Sequence, residues 1–199
     1  MYFSYGETEL AYLRQKDKRL CEVIDRIGHI DRTVDTDLFS SVIHHIIGQQ
    51  ISTKAQATVW QRMRDALGEV NAETILAAGI PKLQSLGMTF RKAEYITDFA
   101  EKIHSGTFHL DAIERMCDEE AILALSSLKG IGVWTAEMIL LFCLQRPDIF
   151  SFDDLAILWS ITTAVLTAGS LKNIAVGSTP IAVWRACISG LWLAAQSRK

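Results

Sequence analysis

Two glycines separated by one residue, Gly130 and Gly132, stand between a leucine-containing segment and a strongly apolar stretch. Glycine accepts positive φ angles and allows a backbone to approach a ligand closely. A tight turn that opens a helix exposes unpaired N–H groups at the positive end of the helix dipole, and these groups can bind an anion without a cationic side chain. Ile131 would then point inward and fix the turn to the core. A simpler interpretation, a glycine that ends one helix before the next begins, fits the same spacing.

Two adjacent carboxylates, Asp153 and Asp154, precede an apolar run that starts at Leu155. Ser151 and Asp154 are spaced almost as in a capping box, and Asp153 is a candidate N-cap, so both carboxylates could serve only to start a helix. The dipole at this end of a helix favours an ionised carboxylate, whereas partial burial opposes it. An ionised carboxylate can stabilise positive charge that develops on a sugar ring and can orient a water molecule. Together with a phosphate-binding turn, it indicates an enzyme that acts on nucleic acid.

Large side chains recur at helical spacing near both features. Trp134 and Met138 are four residues apart, and Trp184, Ile188 and Trp192 form a second stripe. Such a stripe is typical of a helix packed in a core. It also suits a pocket for a flat and positively charged ring, because the face of an indole attracts cations.

A polar pair, Gln49 and Gln50, lies between two predicted helices, and Ser52 is placed as the N-cap of the second. The glutamines could be exposed to solvent, could cap helix ends, or could contact a ligand. The neighbouring His44 and His45 point to different faces of a helix, and no third ligand is in view. The sequence therefore predicts no metal site.

The remaining pattern predicts an all-α protein. Apolar residues recur at helical spacing in segments 38–46, 75–79, 96–103 and 122–125. Pro81 stands where a helix could begin, and the acidic residues 118–120 are typical of a first turn. No alternating segment is long enough to build a sheet, and no linker divides the chain, so a single domain over residues 1–199 is predicted. Segment 83–87 is similar to segment 125–130, although the match is too short to be called a repeat.

The composition is that of a globular chain. Its 199 residues, of which 49% are hydrophobic, can bury a sizeable core. No apolar run reaches membrane-spanning length, and the N-terminus lacks the pattern of a signal peptide. Four cysteines without metal-binding spacing are interpreted as buried thiols in a reducing cytoplasm. A net charge of −3 argues weakly against nucleic acid, since total charge does not describe a local surface. Arg91 and Lys92 could reach a phosphate or could simply solvate a helix.

The stretch L-K-G-I-G-V-W-T-A at 128–136 resembles the hairpin of the helix-hairpin-helix DNA glycosylases, in particular the 3-methyladenine DNA glycosylase II family. The similarity continues in R-P-D-I-F at 146–150 and F-D-D-L-A-I at 152–157, and it includes I-I-G-Q-Q-I-S at 46–52 and K-A-E-Y-I at 92–96. These motifs, in the family's order, cover roughly residues 36 to 195. About 30 residues precede them, too few for the separate N-terminal sheet domain of the family's long form.

The resemblance implies a fold of two helical lobes with a cleft between them and a hairpin near residues 125–136. It gives Asp154 the catalytic role, which leaves Asp153 as the cap. In the family, the side chain at the Gln50 position fills the gap left when a base leaves the duplex. The residues assigned to DNA binding are Lys129, Gly130, Ile131, Gly132, Gln49, Gln50 and Ser52.

The resemblance also implies a base pocket that contains Trp134, Met138 and Trp192, with Leu193 as the alternative to Trp192. Met138 replaces a tyrosine of the family, which would remove a stacking contact and soften the pocket. Relatives that also cleave the DNA backbone use a lysine two residues after the second hairpin glycine. That position is Trp134 here, and Lys129 is a poor substitute, so a monofunctional enzyme is expected.

The predicted function is therefore that of a DNA-3-methyladenine glycosylase of base-excision repair, which flips an alkylated purine out of double-stranded DNA and hydrolyses its N-glycosidic bond. Two alternatives stay open, a glycosylase for a deaminated or etheno purine and a non-catalytic helix-hairpin-helix DNA-binding protein. Binding alone needs no carboxylate near DNA, so Asp154 favours an enzyme. We expect a cytoplasmic monomer, associated with the nucleoid if bacterial, without membrane contact. No cofactor is expected, and a monovalent cation in the hairpin is left open.

Overall fold

The structure, a computed structural model, describes residues 1–16, 18–146, 149 and 151. These residues form nine α-helices and no strand, with one isolated β-bridge between Tyr2 and Thr33. The predicted all-α class is confirmed. Within the same residues, no helix combines the length and the apolar character that crossing a bilayer requires. The helices are α1 (Glu7–Lys16), α2 (Lys18–Ile27), α3 (Leu38–Gly48), α4 (Thr53–Leu67), α5 (Ala72–Ser85), α6 (Phe90–His104), α7 (Leu110–Arg115), α8 (Asp118–Ser126) and α9 (Val133–Phe142).

The described chain divides into two compact units. Unit 1 contains Met1–Val34 and the described residues from Leu140 onward, and unit 2 contains Asp35–Ile139. The boundary falls within α9. A single domain over residues 1–199 and a cleft between two lobes remain predictions.

Unit 2 is built around α3, which has one strongly apolar face. Val42, Ile43, Ile46 and Ile47 are fully buried, and their i, i+1, i+4, i+5 spacing places them on the same side of the helix, as expected for a helix that packs one face against the core. Helix α3 packs against α4 and α6, and α5 packs against α6. Each fully buried aliphatic side chain contributes roughly 1.5–3 kcal/mol relative to an exposed one. This burial fixes α3, and with it the polar loop that follows its C-terminus.

Side-chain caps start four helices of unit 2. In each of them a side-chain oxygen accepts a hydrogen bond from a main-chain N–H of the first turn, which lacks an intrahelical partner. Ser52 caps α4 as predicted, at 3.2 Å from the N–H nitrogen of Ala55. The predicted acidic first turn at 118–120 is also present, in α8. The four caps are Asp37 for α3, Ser52 for α4, Asn71 for α5 and Thr89 for α6.

Helix α5 is broken at Gly79. Its φ of 70° and ψ of 168° are not helical, and glycine adopts this φ without the strain that a Cβ would cause. The helical spacing of segment 75–79 therefore ends at the residue where the helix breaks. Pro81 follows in the first turn after the break, where its missing N–H is not needed, so its predicted position at a helix start is confirmed.

The N-terminal residues of unit 1 are tied down by long-range hydrogen bonds. The N–H of Phe3 donates to the carbonyl of Arg32 at 2.8 Å. The hydroxyl of Tyr5 bonds both main-chain groups of Ile30, at 2.7 and 2.8 Å. The guanidinium of Arg32 lies 4.7 Å from the ring centroid of Phe142 on α9. Helices α1 and α2 therefore belong to a folded unit, although the sequence analysis assigned no helices there.

The interpretation of the cysteines as buried thiols is wrong for the described ones. Cys117 is exposed, and Cys21 and Cys143 are half-buried. Cys117 is the N-cap of α8, and its N–H donates a hydrogen bond to the Glu120 carboxylate at 3.3 Å. Cys187 lies outside the described residues.

Candidate functional site

The turn predicted from the two glycines joins α8 to α9. Gly130 has a φ of 82°, and the N–H of Ile131 donates to the carbonyl of Leu128 at 3.1 Å. The side chain of Ile131 is only 5% exposed. It therefore fixes the turn to the core of unit 2, as its position between the glycines predicted.

The first turn of α9 contains no acidic residue. Gly132 is the N-cap, because its carbonyl accepts the first intrahelical hydrogen bond, from the N–H of Ala136 at 2.9 Å, and glycine has no side chain with which to cap the helix. From Asp35 to Ile139, a stretch that is described throughout, every other helix has a side-chain cap or an acidic residue in its first turn. A glycine N-cap with no acidic residue in the first turn leaves the positive end of the helix dipole suited to an external anion.

The surroundings of the two hairpin glycines differ. A Cβ at Gly130 would collide with the ring of Tyr95 from α6, and the positive φ would add strain. A Cβ at Gly132 would meet no non-neighbouring atom of the described chain within 4 Å, and the φ of Gly132 is not positive. The fold therefore requires Gly130, whereas the space beside Gly132 is open to a ligand.

The glutamine pair contacts the hairpin directly. The side-chain amide of Gln49 donates to the carbonyl of Gly130 at 2.6 Å. Gln50 follows with an exposed side chain and a φ of 57°, a conformation that non-glycine residues adopt mainly where the surrounding structure imposes it. The loop after α3 and the hairpin before α9 are thus one site, although 81 residues separate their contacting members.

Lys92 has a role that the sequence analysis did not anticipate. Its ammonium donates to the carbonyls of Ile47 and Gln49, at 2.8 and 2.6 Å. It therefore caps the C-terminus of α3 and is committed to the protein's own main chain, contrary to both expected roles. Burial lowers the pKa of this ammonium. The neighbouring Arg91 is exposed, and its guanidinium lies 5.8 Å from the centroid of the Tyr95 ring.

Lys129, the hairpin lysine, forms an ion pair with α6. Its ammonium lies 2.6 Å from Oδ1 of Asp98, and Lys102 lies 3.1 Å from the other carboxylate oxygen. Burial raises the pKa of Asp98, but the hydrogen bonds and charges of Lys129 and Lys102 lower it by more. The hydrogen bond to Asp98 in turn raises the pKa of Lys129. The Lys129 side chain remains 60% exposed, so its assignment to DNA binding stays a prediction.

The two described members of the predicted base pocket differ in exposure. Trp134, in the first turn of α9, is 47% exposed, and Met138, one turn later, is 5% exposed. An indole surface beside the open N-terminus of α9 is available for contact with a ligand. Their assignment to a base pocket remains a prediction.

Four exposed apolar side chains lie in the segments that meet at this site. Ile51 follows Gln50, Phe90 begins α6, and Val133 and Trp134 begin α9, with exposures of 40%, 55%, 54% and 47%. Leu123 in α8 is 72% exposed. Single exposed apolar residues are ordinary, so these exposures do not by themselves mark a contact surface. Sequence analysis missed Phe90, because its periodicity signal started only at residue 96.

The weak internal similarity corresponds to two related turns. Gly87, between α5 and α6, has a φ of 110°, and Gly130, between α8 and α9, has a φ of 82°. Thr89 follows the first glycine by two residues, as Gly132 follows the second. Thr89 caps its own helix through the N–H of Lys92 at 3.3 Å, whereas Gly132 has no side chain to do so. This similarity was the one sequence signal that could have drawn attention to the start of α6.

Several predicted residues lie outside the described residues. These are the catalytic candidate Asp154, its neighbour Asp153, and Trp184, Trp192 and Leu193.

The histidines of α3 have partners within unit 2, since His44 lies 3.7 Å from Asp35 and His45 bonds the carbonyl of Ser41 at 2.8 Å. Burial raises the pKa of Asp35, but a hydrogen bond with His44 and its charge lower it by more. Among the described residues, no group of three or more metal-binding side chains occurs.

Comparison with known proteins gives concordant matches. The chain is 31% identical to the Bacillus subtilis protein YfjP, which carries a provisional name as a DNA-3-methyladenine glycosylase, over 76% of this chain and 62% of that protein. It is 28% identical to DNA-3-methyladenine glycosylase 1 of Schizosaccharomyces pombe, over 76% of this chain and 68% of that protein. The chain thus spans less than two thirds of the length of YfjP.

A solved structure matches over almost the whole chain. The crystal structure of a DNA-3-methyladenine glycosidase from Bacillus halodurans superposes with a TM-score of 0.77 at 28% identity, over 98% of this chain and 92% of that chain. The family model described as HhH-GPD superfamily base excision DNA repair protein matches residues 43–169. This match covers more than half of the sequence and includes the hairpin, the Gln49 loop and α6. The chain therefore belongs to the HhH-GPD superfamily of base-excision DNA repair proteins.

Proposed function

We propose that this protein is a monofunctional DNA-3-methyladenine glycosylase, which binds double-stranded DNA that contains an alkylated purine and hydrolyses the N-glycosidic bond of that purine. The products are a free base and an abasic site. The protein acts as a monomer in the compartment that holds the DNA. The names of the relatives with which it shares sequence support the choice of substrate.

The observation that carries this proposal is the glycine N-cap of α9. Gly132 has no capping side chain, a Cβ there would meet no non-neighbouring atom of the described chain within 4 Å, and the half-exposed indole of Trp134 lies in the first turn of the same helix. Together these features support a phosphate site next to a flat apolar surface. The helix N-terminus would bind a phosphate of the DNA backbone, and the flat apolar surface would contact a base extruded from the duplex. A hairpin that served only as a turn between helices would need neither feature.

The charges around the hairpin support binding through main-chain groups. Lys92 is committed to two carbonyls and Lys129 to Asp98. The protein as a whole has a net charge of −3. Because these two lysines are already paired within the protein, they would displace few counterions from the DNA. We therefore expect duplex affinity to depend only weakly on salt concentration. Electrostatic attraction would then depend on the helix dipole more than on side-chain charge.

The chemical step is assigned to Asp154 on the basis of its match to the family's catalytic carboxylate. Cleavage of the bond between base and sugar builds positive charge on the sugar ring. An ionised carboxylate beside C1′ stabilises this charge and orients the attacking water. An alkylated purine that carries a positive charge is already a good leaving group, so the reaction does not require a strong general acid.

Gly130 and Gly132 provide a matched pair of variants that separate folding from DNA binding. Gly132→Ala should lower the free energy of unfolding by no more than about 1 kcal/mol, because the new Cβ has room and alanine is only moderately worse than glycine at an N-cap. It should weaken binding to damaged and undamaged duplexes alike, since phosphate contacts carry no information about the lesion. Gly130→Ala should destabilise the fold by roughly 1–3 kcal/mol because of its positive φ. Denaturant unfolding and fluorescence anisotropy with labelled duplexes measure the two effects, and normal duplex binding by Gly132→Ala would show that the hairpin is only a turn.

Asp154→Asn should abolish base release and leave DNA binding intact or improved, because one negative charge near the phosphates is removed. Asp153→Asn is the matched control. It should retain turnover and should lower the free energy of unfolding by less than about 1 kcal/mol, because asparagine caps a helix as well as aspartate does and only the interaction of the charge with the helix dipole is lost. Single-turnover release of free base from a methylated duplex measures the effect. Near-normal release by Asp154→Asn would contradict the catalytic assignment.

The reaction should yield intact abasic DNA, with no strand cleavage until alkali or heat is applied. Borohydride should trap no covalent complex of protein and DNA, because Trp134 occupies the position of the lysine nucleophile. A glycosylase with that lysine, treated in parallel, shows that the trapping conditions work. Efficient trapping with the present protein would disprove the monofunctional assignment.

Trp134→Leu tests whether the indole selects charged bases. Stacking on an indole should favour a cationic purine over a neutral one by roughly 0.5–2 kcal/mol, which is up to about 30-fold in affinity. The variant keeps apolar bulk, so it should lose more activity on 3-methyladenine or 7-methylguanine than on hypoxanthine. Single-turnover base release from matched duplexes, with thermal melts to check folding, provides the measurement. Equal losses on charged and neutral lesions would leave Trp134 with a role in shape or packing alone.

A further inference from the structure

The loop that carries Gln49 and Gln50 is held in place by a lysine from another helix. The ammonium of Lys92 lies 2.8 Å from the carbonyl oxygen of Ile47 and 2.6 Å from that of Gln49. Both acceptors are main-chain groups at the C-terminus of α3, where carbonyls lack intrahelical partners and the dipole favours a cation. One cation thus joins the last turn of α3 to the first residue beyond it.

The same face of α6 also supports the hairpin. Lys92, Tyr95 and Asp98 are spaced three residues apart and therefore lie along one side of the helix. Lys92 holds the Gln49 carbonyl, Tyr95 packs against Gly130, and Asp98 pairs with Lys129. Helix α6 is thus a common support for the loop after α3 and for the hairpin before α9.

Gln49 is fixed on both sides by these contacts. Its carbonyl accepts from Lys92 at 2.6 Å, and its side-chain amide donates to Gly130 at 2.6 Å. The next residue, Gln50, leaves this anchor with a φ of 57° and an exposed side chain. The direction in which the Gln50 side chain projects therefore depends on the position of the Gln49 peptide group.

We infer that Lys92 is a positioning residue for Gln50. By holding the Gln49 carbonyl, it keeps the Gln50 side chain at a fixed position relative to the hairpin N–H groups, so that one part of the site binds the DNA backbone while Gln50 enters the duplex beside the extruded base. This inference rests on the proposed function, since the entry of Gln50 has meaning only for a protein that binds damaged duplex DNA. In this proposal Lys92 contributes to the site without contacting the base or the phosphate.

Four single variants test the inference. Lys92→Met removes the ammonium and keeps the length of the side chain, and Lys92→Arg keeps a cation with several donors. Gln50→Ala removes the side chain that Lys92 is inferred to position. Lys102→Met is the matched control, because it removes the same charge from the same helix and the ammonium of Lys102 pairs with Asp98 of α6 itself. Lys92→Gln, whose amide can still donate to one carbonyl, serves if Lys92→Met does not fold.

The main readout does not depend on catalysis. A duplex carries a stable abasic analogue, with 2-aminopurine in the opposite strand, so that its fluorescence reports the entry of a side chain into the stack. Binding by the wild-type protein and by Lys102→Met should change the fluorescence, and binding by Gln50→Ala should not. Lys92→Met should lose the change to the same extent as Gln50→Ala, and Lys92→Arg should recover part of it. Affinity for an undamaged duplex should be the same in all of these proteins.

The second readout is single-turnover base release at saturating protein. Lys92→Met should slow release by about 10- to 100-fold, the loss that a misplacement of about 1 Å can cause. The double variant, Lys92→Met with Gln50→Ala, should be no slower than Gln50→Ala alone. Both substitutions remove the same effect, which is the entry of the Gln50 side chain into the duplex. Additive losses, a full fluorescence change with Lys92→Met, or an equal loss of affinity for undamaged duplexes would each overturn the inference. If the wild-type protein changes the fluorescence but releases no base, the proposed catalytic function fails while the inference about Lys92 stands.

Discussion

Every α-helix leaves polar main-chain groups without partners at its ends, and the candidate site depends on how unit 2 satisfies these groups. The C-terminal carbonyls of α3 receive the ammonium of Lys92. The N–H groups at the starts of α3, α4, α5 and α6 receive side-chain oxygens. The N-cap of α9 is Gly132, which supplies no capping side chain, and the first turn of α9 contains no acidic residue. From Asp35 to Ile139 every other helix has a side-chain cap or an acidic residue in its first turn, so the start of α9 differs in composition from the other helix starts of the unit.

This arrangement would allow an acidic protein to have the nucleic-acid site that we propose for it. In many proteins, phosphate binding depends on clusters of lysine and arginine, and total charge then predicts function. Here the two lysines nearest the hairpin are engaged within the protein, and the attraction is assigned to oriented N–H groups. Main-chain groups cannot rotate away from a ligand as long side chains can, so little conformational entropy is lost on binding. A rigid site of this kind would hold the DNA backbone in one register while the neighbouring indole and Gln50 contact the bases.

Local chemistry allowed part of the structure to be predicted from sequence. The turn at Gly130, the inward position of Ile131, the cap at Ser52 and the break before Pro81 each depend on residues within a few positions of one another. The role of Lys92 could not be predicted, because its acceptors lie 43 and 45 residues away in the chain. The pair of Lys129 with Asp98 and the packing of Tyr95 on Gly130 depend in the same way on how α6 lies against two other segments. The prediction for Cys117 failed for a different reason. It applied the general tendency of cysteine to be buried, whereas Cys117 stands at the exposed start of a helix.

The role proposed for Gln50 places stability and activity in opposition. Its φ of 57° belongs to a region that glycine enters freely and that costs other residues about 1–2 kcal/mol. A glycine at this position would therefore relieve strain, and screens for thermal stability of this fold should return it. The same change would remove the only part of Gln50 that can reach beyond the protein surface. Residue 50 is thus a place where selection for a longer-lived fold and selection for repair would favour different amino acids.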